Sequence, residues 1–135
     1  MPESVVVRRR KGYEHEIEIR EHHLIADEPE DRGGGDQGPK PTELLAASLA
    51  SCAAITIEMY ADRKGWDLGD VEVAVDFTAP TGDAPARFEV KIKVPTDLDD
   101  EQRKRILVIA GKCPVHKALA ADDVEINDSL ELTEA

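Results

Sequence analysis

Two cysteines lie in contrasting sequence contexts. Cys52 is inside a run of small and apolar residues, Leu44–Thr56, whereas Cys113 directly precedes Pro114 in GKCPVHK. A thiol reacts as a nucleophile only in its thiolate form, which helix N-termini and nearby cations favour. Because proline suits the first turn of a helix, Cys113 is predicted to lie at or near an N-cap with two lysines close by. Helix electrostatics alone therefore nominate Cys113 as the reactive thiol and Cys52 as a buried one.

A peroxide-reducing cycle that ends in a disulfide requires at least two thiols. A peroxide oxidises one thiolate to a sulfenic acid, and a second, resolving cysteine converts that acid to a disulfide. Simpler roles stay open for both residues. A buried cysteine usually behaves as a small hydrophobic residue, which would suit Cys52, and Cys113 could be only a small residue at a helix start.

Other site chemistries find little support. The sequence has no CxxC or HxxxH spacing, and Cys113 with His116 is the only close pair of possible ligands, so neither a metal nor another cofactor is predicted. The glycines at 33–35 lack the strand-to-helix context and the lysine of a phosphate-binding loop. The formal charge of −12 argues against a nucleic-acid partner, because such binding depends on basic side chains.

Composition predicts a cytoplasmic protein. Two cysteines in 135 residues are far fewer than a secreted disulfide scaffold carries, and no signal-peptide pattern begins at Met1. The longest apolar stretch, Leu44–Ile57, is shorter than the roughly 20 residues that span a bilayer, so no membrane partner is predicted.

The surrounding pattern predicts a single α+β domain over residues 1–135. Period-two alternation indicates strands, glycine and proline indicate a long loop, and longer apolar runs indicate helices. The predicted order begins with strands at Ser4–Arg10, Tyr13–Ile19 and His22–Ala26 and a loop at Asp27–Lys40. A helix at Pro41–Lys64 follows, and then strands at Val71–Phe77 and Phe88–Val94. Two helices that end near Ala110 and Ala121 precede a last strand at Val124–Leu132.

The long helix is apolar on nearly all faces as far as Ile57, and many of its residues are small. A helix of that kind must be buried, and small side chains let a second helix approach closely. In a chain this short, a second copy is a natural source of cover. We therefore expect a homodimer.

Two motifs carry a resemblance to a known family. The block Gly38–Cys52 (GPKPTELLAASLASC), followed later by Cys113-Pro-Val-His, resembles the OsmC/Ohr family of osmotically inducible and organic-hydroperoxide-resistance proteins, over nearly the whole chain. The resemblance implies an intertwined homodimer with β-sheets wrapped around two long central helices. It also implies a thiol-dependent peroxidase for small organic hydroperoxides, in which Cys52 attacks, Cys113 resolves and an external dithiol restores both thiols.

The resemblance further implies an arginine that lowers the pKa of the attacking thiol, held by a glutamate near the start of the central helix. In the hydroperoxide-resistance branch that glutamate lies ten residues before the cysteine, where this chain has Thr42. Glu43 matches a glutamate of other members, but one residue turns a side chain by about 100° around a helix. The first candidate for the arginine is Arg20, followed by Arg10 and Arg32. This departure places the chain in an OsmC-like branch.

A rival hypothesis is a non-catalytic dimer of the same fold that binds a small apolar ligand or senses redox state. It predicts no turnover. The separation of Cys52 and Cys113 discriminates between the two hypotheses, because a disulfide requires Cα atoms within about 7 Å.

Overall fold

A computed structural model describes residues 3–133 of the chain. The chain divides into two compact units. The first unit comprises Met1–Ser51 and Val73–Ile92, and the second comprises Cys52–Glu72 and Lys93–Ala135. One long helix contributes to both units, so this division does not by itself test the prediction of a single domain over 1–135.

The first unit contains a three-stranded antiparallel sheet in the order β1-β2-β3. Its strands are β1 (Val6–Lys11), β2 (Glu14–Ile19) and β3 (His22–Ala26). Ile17 is buried in the central strand, as the predicted alternation requires. All three predicted strands are confirmed to within two residues.

A second antiparallel pair follows the long helix in the chain. Strands β4 (Glu72–Thr78) and β5 (Arg87–Lys93) form a two-stranded sheet. The rings of Phe77 and Phe88 pack across it with centroids 5.0 Å apart. Both strands were predicted from their alternation, and both are confirmed.

Helix α1 spans Pro41–Lys64, as predicted. Its start is fixed by Glu43, whose backbone N–H donates to the Lys40 carbonyl while its side chain accepts the Lys40 N–H. Its end is fixed by Gly65 at φ +72°, a left-handed conformation that glycine adopts without steric cost. Local sequence signals therefore determine both ends.

One stripe of α1 is buried within the single chain. It consists of residues four apart, Leu49, Ala53, Ile57 and Ala61. Apolar side chains elsewhere on the helix are exposed, among them Leu45, Ile55 and Met59. By length and composition alone α1 could also cross a membrane, with a mean hydropathy of 1.6 over 18 residues, but core helices of soluble proteins pass the same test.

The second unit adds two helices. Helix α2 (Asp100–Ala110) begins with a capping box, in which the Asp99 carboxylate accepts the Gln102 N–H at 2.8 Å and the Gln102 side chain accepts the Asp99 N–H at 3.1 Å. Helix α3 (Pro114–Ala120) begins at the N-cap Cys113 with proline in its first turn. The predicted N-cap position of Cys113 is confirmed.

The predicted last strand, Val124–Leu132, is wrong for the single chain. Residues 121–133 contain neither helix nor strand, and the apolar side chains of the alternating pattern are 60% to 88% exposed. A strand requires a neighbouring strand to satisfy its N–H and C=O groups. The described part of the chain supplies no such neighbour for this segment.

Candidate functional site: a thiol pair and an arginine-bearing cleft

The two cysteines are neighbours in the second unit. Cys52 lies on α1 and Cys113 caps α3, and both are free thiols. The Cys52 thiol is close enough to Cys113 to raise the pKa of the latter. Tertiary packing therefore brings together two residues from distant parts of the sequence. Adjacent free thiols can be oxidised to a disulfide within one chain.

The expected contrast between the two thiols is reversed. Cys113 is fully buried, with 0% of its surface exposed, whereas Cys52 is only half-buried. Burial raises the pKa of the Cys113 thiol, and the neighbouring Cys52 raises it further. The His116 backbone N–H donates to the Cys113 sulfur at 3.2 Å and opposes the shift without outweighing it. The predicted N-cap position of Cys113 is confirmed, but desolvation outweighs the favourable effect of the helix start on its thiolate.

Because the pKa of the Cys113 thiol is raised in the folded state, the free energy of unfolding should change with pH in the alkaline range. A thiol whose pKa is higher in the folded state binds its proton more tightly there. Its contribution is therefore complete below the unfolded-state pKa of about 8.5 and is lost as pH rises through the folded-state pKa. We expect the free energy of unfolding of the reduced protein to fall above about pH 8.5, and Cys113→Ser to remove that part of the fall. Urea unfolding of both proteins at several pH values tests this, and parallel pH profiles would contradict it.

The first unit contains a separate feature, an open cleft of about 1140 Å³. Charged and aromatic side chains from the sheet, the Asp27–Lys40 loop, the start of α1 and β4 line it. Those that bear on the chemistry are Tyr13, His15, Asp27, Arg32, Glu43 and Phe77.

Glu43 lines this cleft and also caps its helix. Its Oε1 accepts the Lys40 backbone N–H at 2.9 Å. Among residues 3–133 no cation lies within 4.0 Å of its carboxylate, so no glutamate–arginine ion pair is formed in this structure. The capping bond occupies Oε1, so Oε2 is the carboxylate oxygen that could accept a bond from an arginine. The role predicted for Glu43 stays a prediction.

The three candidate arginines occupy different settings. Arg20 is exposed in the turn between β2 and β3, with φ +53°, and is not among the cleft-lining residues. Arg10 pairs with Glu14, with 3.3 Å between its Nε and the carboxylate. Arg32, at the end of a short 3₁₀ turn, lines the same cleft as Glu43. Arg20 stays a prediction, and of the three candidates Arg32 is the one that lines the same cleft as Glu43.

Asp27 was not singled out from the sequence, where it only marked the start of the loop. It is 2% exposed, and its carboxylate accepts the backbone N–H groups of Glu28 at 2.8 Å and Gln37 at 3.1 Å. The bond from Gln37, with further bonds from Glu28 and Gly35, holds the pKa of Asp27 below its usual range. The available signal was an aspartate at a strand end before a glycine-rich loop, a setting in which Asp side chains bind nearby backbone N–H groups.

A second feature that sequence reasoning missed is a basic cluster around Tyr60. The Arg105 Nε donates to the Tyr60 hydroxyl at 2.9 Å, and the Lys64 Nζ lies 5.7 Å from the ring centroid. Trp66 packs edge-on against the same ring, with centroids 5.6 Å apart. The hydrogen bond from Arg105 is the largest cause that lowers the pKa of the Tyr60 phenol. The contact joins α2 to α1 within the second unit.

Replacing Arg105 should reverse that shift. We expect Arg105→Gln to raise the pKa of Tyr60, because the substitution removes a charged hydrogen-bond donor from the phenol oxygen. In a Tyr13→Phe background Tyr60 is the only remaining tyrosine, so phenolate absorbance during an alkaline titration reports on it alone. Lys64→Gln is the matched control and should have a smaller effect. An unchanged titration midpoint in Arg105→Gln would contradict the expectation.

Within the described residues, no group of three or more His, Cys, Asp or Glu side chains is placed to hold a metal ion.

The chain is similar in sequence to a known protein family and to a curated relative. The sequence model of OsmC-like proteins matches residues 33–127, a range that includes both cysteines. A curated relative, an uncharacterized protein of Haloferax volcanii, is 31% identical over 86 residues, which cover 62% of this chain and 65% of the relative. The match therefore spans slightly less than two thirds of that relative's length.

Solved structures are similar over most of the chain. A protein from Psychrobacter arcticus, named for osmotic stress induction and a detoxification response, is 27% identical with a TM-score of 0.75, over 87% of this chain and 88% of its own. The organic hydroperoxide resistance protein OhrB of Bacillus subtilis is 22% identical with a TM-score of 0.60, over 88% and 92%. The organic hydroperoxide resistance protein OsmC of Legionella pneumophila is 20% identical with a TM-score of 0.64, over 88% of this chain and 90% of its own.

The last two likenesses show the fold alone. The sequence-model match, by contrast, extends over more than half of the chain. The predicted α+β fold and the predicted family are thereby confirmed, and the chain belongs to the OsmC family.

Proposed function

We propose that this protein is a thiol-dependent peroxidase that reduces small organic hydroperoxides through Cys52 and Cys113. The observation that carries the proposal is the pairing of a half-buried thiol with a fully buried one in the second unit. Family membership supports it, since relatives of this fold include proteins named for organic hydroperoxide resistance.

The proposed cycle balances with the two thiols and an external dithiol. The Cys52 thiolate attacks the distal peroxide oxygen, the O–O bond breaks, and the alkoxide takes a proton and leaves as an alcohol. The resulting Cys52 sulfenic acid is attacked by the Cys113 sulfur, which forms the S–S bond and expels hydroxide. The Cys113 proton converts that hydroxide to water. An external dithiol then reduces the disulfide and is itself oxidised.

Burial supports this division of roles. A peroxide must reach the attacking sulfur, and of the two thiols Cys52 is the one with solvent access. The raised pKa of Cys113 keeps that sulfur protonated and unreactive until a sulfenic acid forms beside it. The exposure of the two residues therefore agrees with the roles that the family resemblance implies.

An arginine that favours the Cys52 thiolate completes the proposal. The resemblance to the family implies such an arginine, with Glu43 as the carboxylate that orients it. Arg20 is the first candidate, on the basis of its position at the end of β2. Arg32 is the alternative, because it lines the same cleft of the first unit as Glu43 and has no ion-pair partner within 4.0 Å in the described part of the chain.

We further propose that the protein acts as a cytoplasmic homodimer. The apolar side chains of α1 that the single chain leaves exposed, Ile55 at 51% and Met59 at 59%, support a second copy as their cover. The small residues of α1 between Ala46 and Ala54 would let two such helices approach closely.

The cleft in the first unit supports a second candidate function. Its volume of about 1140 Å³ is more than a drug-sized ligand needs, and aromatic side chains line part of it. A non-catalytic dimer that binds a small apolar molecule, with thiols that only sense redox state, would consume no peroxide in the presence of a reductant.

Turnover separates the two, because with dithiothreitol in excess only a peroxidase forms many alcohol molecules per chain. A stoichiometric experiment then tests the steps of the cycle. Fully reduced protein is mixed with cumene hydroperoxide, and the alcohol product and the protein mass are measured. The peroxidase hypothesis predicts one alcohol per chain, the loss of two hydrogens and a Cys52–Cys113 peptide after digestion. Hydrogen peroxide serves as the comparison oxidant and should react more slowly. Absence of both the alcohol and the linked peptide would exclude the proposed cycle.

A further inference from the structure

The basic cluster around Tyr60 has no acidic partner among residues 3–133. Its cations are Arg105, Lys64 and Lys112, and none of them has a carboxylate oxygen within 4.0 Å, since every ion pair of those residues joins side chains of the two sheets. The chain has 29 acidic and 17 basic residues, so cations grouped without a carboxylate are unexpected. Like charges held close together repel one another unless an anion compensates them.

The three cations lie around one phenol. The Arg105 Nε donates to the Tyr60 hydroxyl at 2.9 Å, and the Lys64 Nζ lies 5.7 Å from the ring centroid. The bond from Arg105 is the largest cause that lowers the pKa of the phenol, and the charges of Lys64 and Lys112 act in the same direction, so both lysines lie near it. These residues come from α1, from α2 and from the turn before α3, all in the second unit. Packing within one unit therefore assembles the cluster.

The cluster keeps hydrogen-bond donors available. Arg105 uses its Nε for the phenol, and the described residues supply no hydrogen-bond partner for its Nη1 and Nη2. The Tyr60 hydroxyl accepts the bond from Arg105, which leaves its own proton free to donate. Two guanidinium N–H groups side by side match two oxygens of a carboxylate or a phosphate. The free donors and the positive charge therefore suit the same kind of ligand.

We propose that the basic cluster around Tyr60 is a binding site for the oxyanion group of a small molecule, either a carboxylate or a phosphate. The Arg105 guanidinium binds two of its oxygens through Nη1 and Nη2, the Tyr60 hydroxyl donates to it, and the two lysines balance its charge. Trp66 packs edge-on against the Tyr60 ring, with centroids 5.6 Å apart, and holds the ring in place. The site uses neither thiol, so it does not depend on the proposed peroxidase activity.

The chain contains its own reporter for this site. Trp66 is the only tryptophan, so protein fluorescence reports on the surroundings of Tyr60. Reduced protein is titrated with inorganic phosphate and separately with sodium acetate, while sodium chloride keeps the ionic strength constant. We expect a saturable change with at least one of the two anions. The anion with the lower half-saturating concentration identifies the preferred group, and chloride alone should give no saturable change because it cannot accept two parallel hydrogen bonds.

Substitutions test the assigned roles. Arg105→Gln should raise the half-saturating concentration of the preferred anion by about tenfold or more, because the paired donors are lost. Arg105→Lys keeps the charge without the paired N–H groups and should have an intermediate effect. Tyr60→Phe keeps the ring beside Trp66 and should weaken binding by about fivefold, because it removes one donor to a charged group. The matched control is Lys104→Gln, the same loss of charge on the neighbouring exposed residue of α2, and it should change binding by less than about twofold.

The ionisation of Tyr60 provides a second measurement that does not depend on fluorescence. In the Tyr13→Phe background, the preferred anion should move the midpoint of the phenol titration to higher pH than sodium chloride of the same ionic strength does. The reason is that a negative charge beside the oxygen disfavours the phenolate. In Arg105→Gln the same concentration of anion should leave the midpoint unchanged.

Three results would overturn the inference. The first is the absence of a saturable response to both phosphate and acetate. The second is a response that sodium chloride reproduces, because that response is screening of the cluster rather than binding. The third is an equal half-saturating concentration in Arg105→Gln and Lys104→Gln. None of these measurements involves peroxide, so the failure of this site and the failure of the proposed function are distinguishable.

Discussion

Cys52→Ser is expected to lower the steady-state rate of cumene hydroperoxide reduction by about a thousandfold or more, as removal of a catalytic nucleophile does. A serine hydroxyl is not ionised at neutral pH and cannot form a sulfenic acid. The measurement is peroxide consumption with dithiothreitol in excess. Wild type and Cys52→Ser are compared at equal protein concentration.

Cys113→Ser is the matched control, because it removes the other thiol and leaves the attacking one. It should consume one equivalent of peroxide rapidly and then stop or continue slowly, since Cys52 sulfenic acid forms but has no resolving partner. Dimedone should label Cys52 in this variant and not in wild type. Equal rates in wild type, Cys52→Ser and Cys113→Ser would refute thiol catalysis.

The second large effect concerns assembly. Ile55→Asp is expected to weaken the homodimer by about a hundredfold or more, because an unpaired carboxylate would be buried against the apolar face of a second α1. Ile55 is 51% exposed in the single chain, so the substitution leaves the buried stripe of α1 intact. Sedimentation or light scattering over a range of protein concentrations measures the dissociation constant.

Leu107→Asp provides the comparison for this experiment. Leu107 lies on α2 and is 67% exposed. Its substitution by aspartate places the same new charge on an apolar surface residue away from α1. It should leave the dimer intact. A monomeric wild type, or equal dissociation by both variants, would count against α1 as the interface.

Much of the fold could be predicted because its signals are local. The ends of α1 depend on Pro41, Glu43 and Gly65, and those of α2 on Asp99, each of which acts within one turn of the helix. The strands of the first unit follow from alternation on a half-buried sheet. The C-terminal pattern Val124–Leu132 has the same alternation but forms no strand, because pairing is a non-local requirement that local alternation does not encode.

The two cysteines of the candidate site could be predicted from the sequence, but the residues that the long loop contributes could not. The two cysteines were found from their motifs, and packing makes them neighbours. Arg32 lines the cleft with Glu43 and yet was only third among the arginine candidates, because sequence position does not reveal how a long loop folds back. Asp27 was missed for the same reason, since its partners Gln37 and Pro39 lie ten or more residues away.

The sequence by itself determined the three helices, the five strands that form within the described residues, their order, the helix caps and the two-thiol motif, since these depend on residues near one another in the chain. Only the tertiary structure decided which thiol is shielded from water. Cys113 has every local feature of an activated thiol, yet complete burial raises its pKa, while Cys52 keeps access to solvent. Desolvation depends on what the rest of the chain packs around an atom, and no stretch of sequence around that atom contains this information.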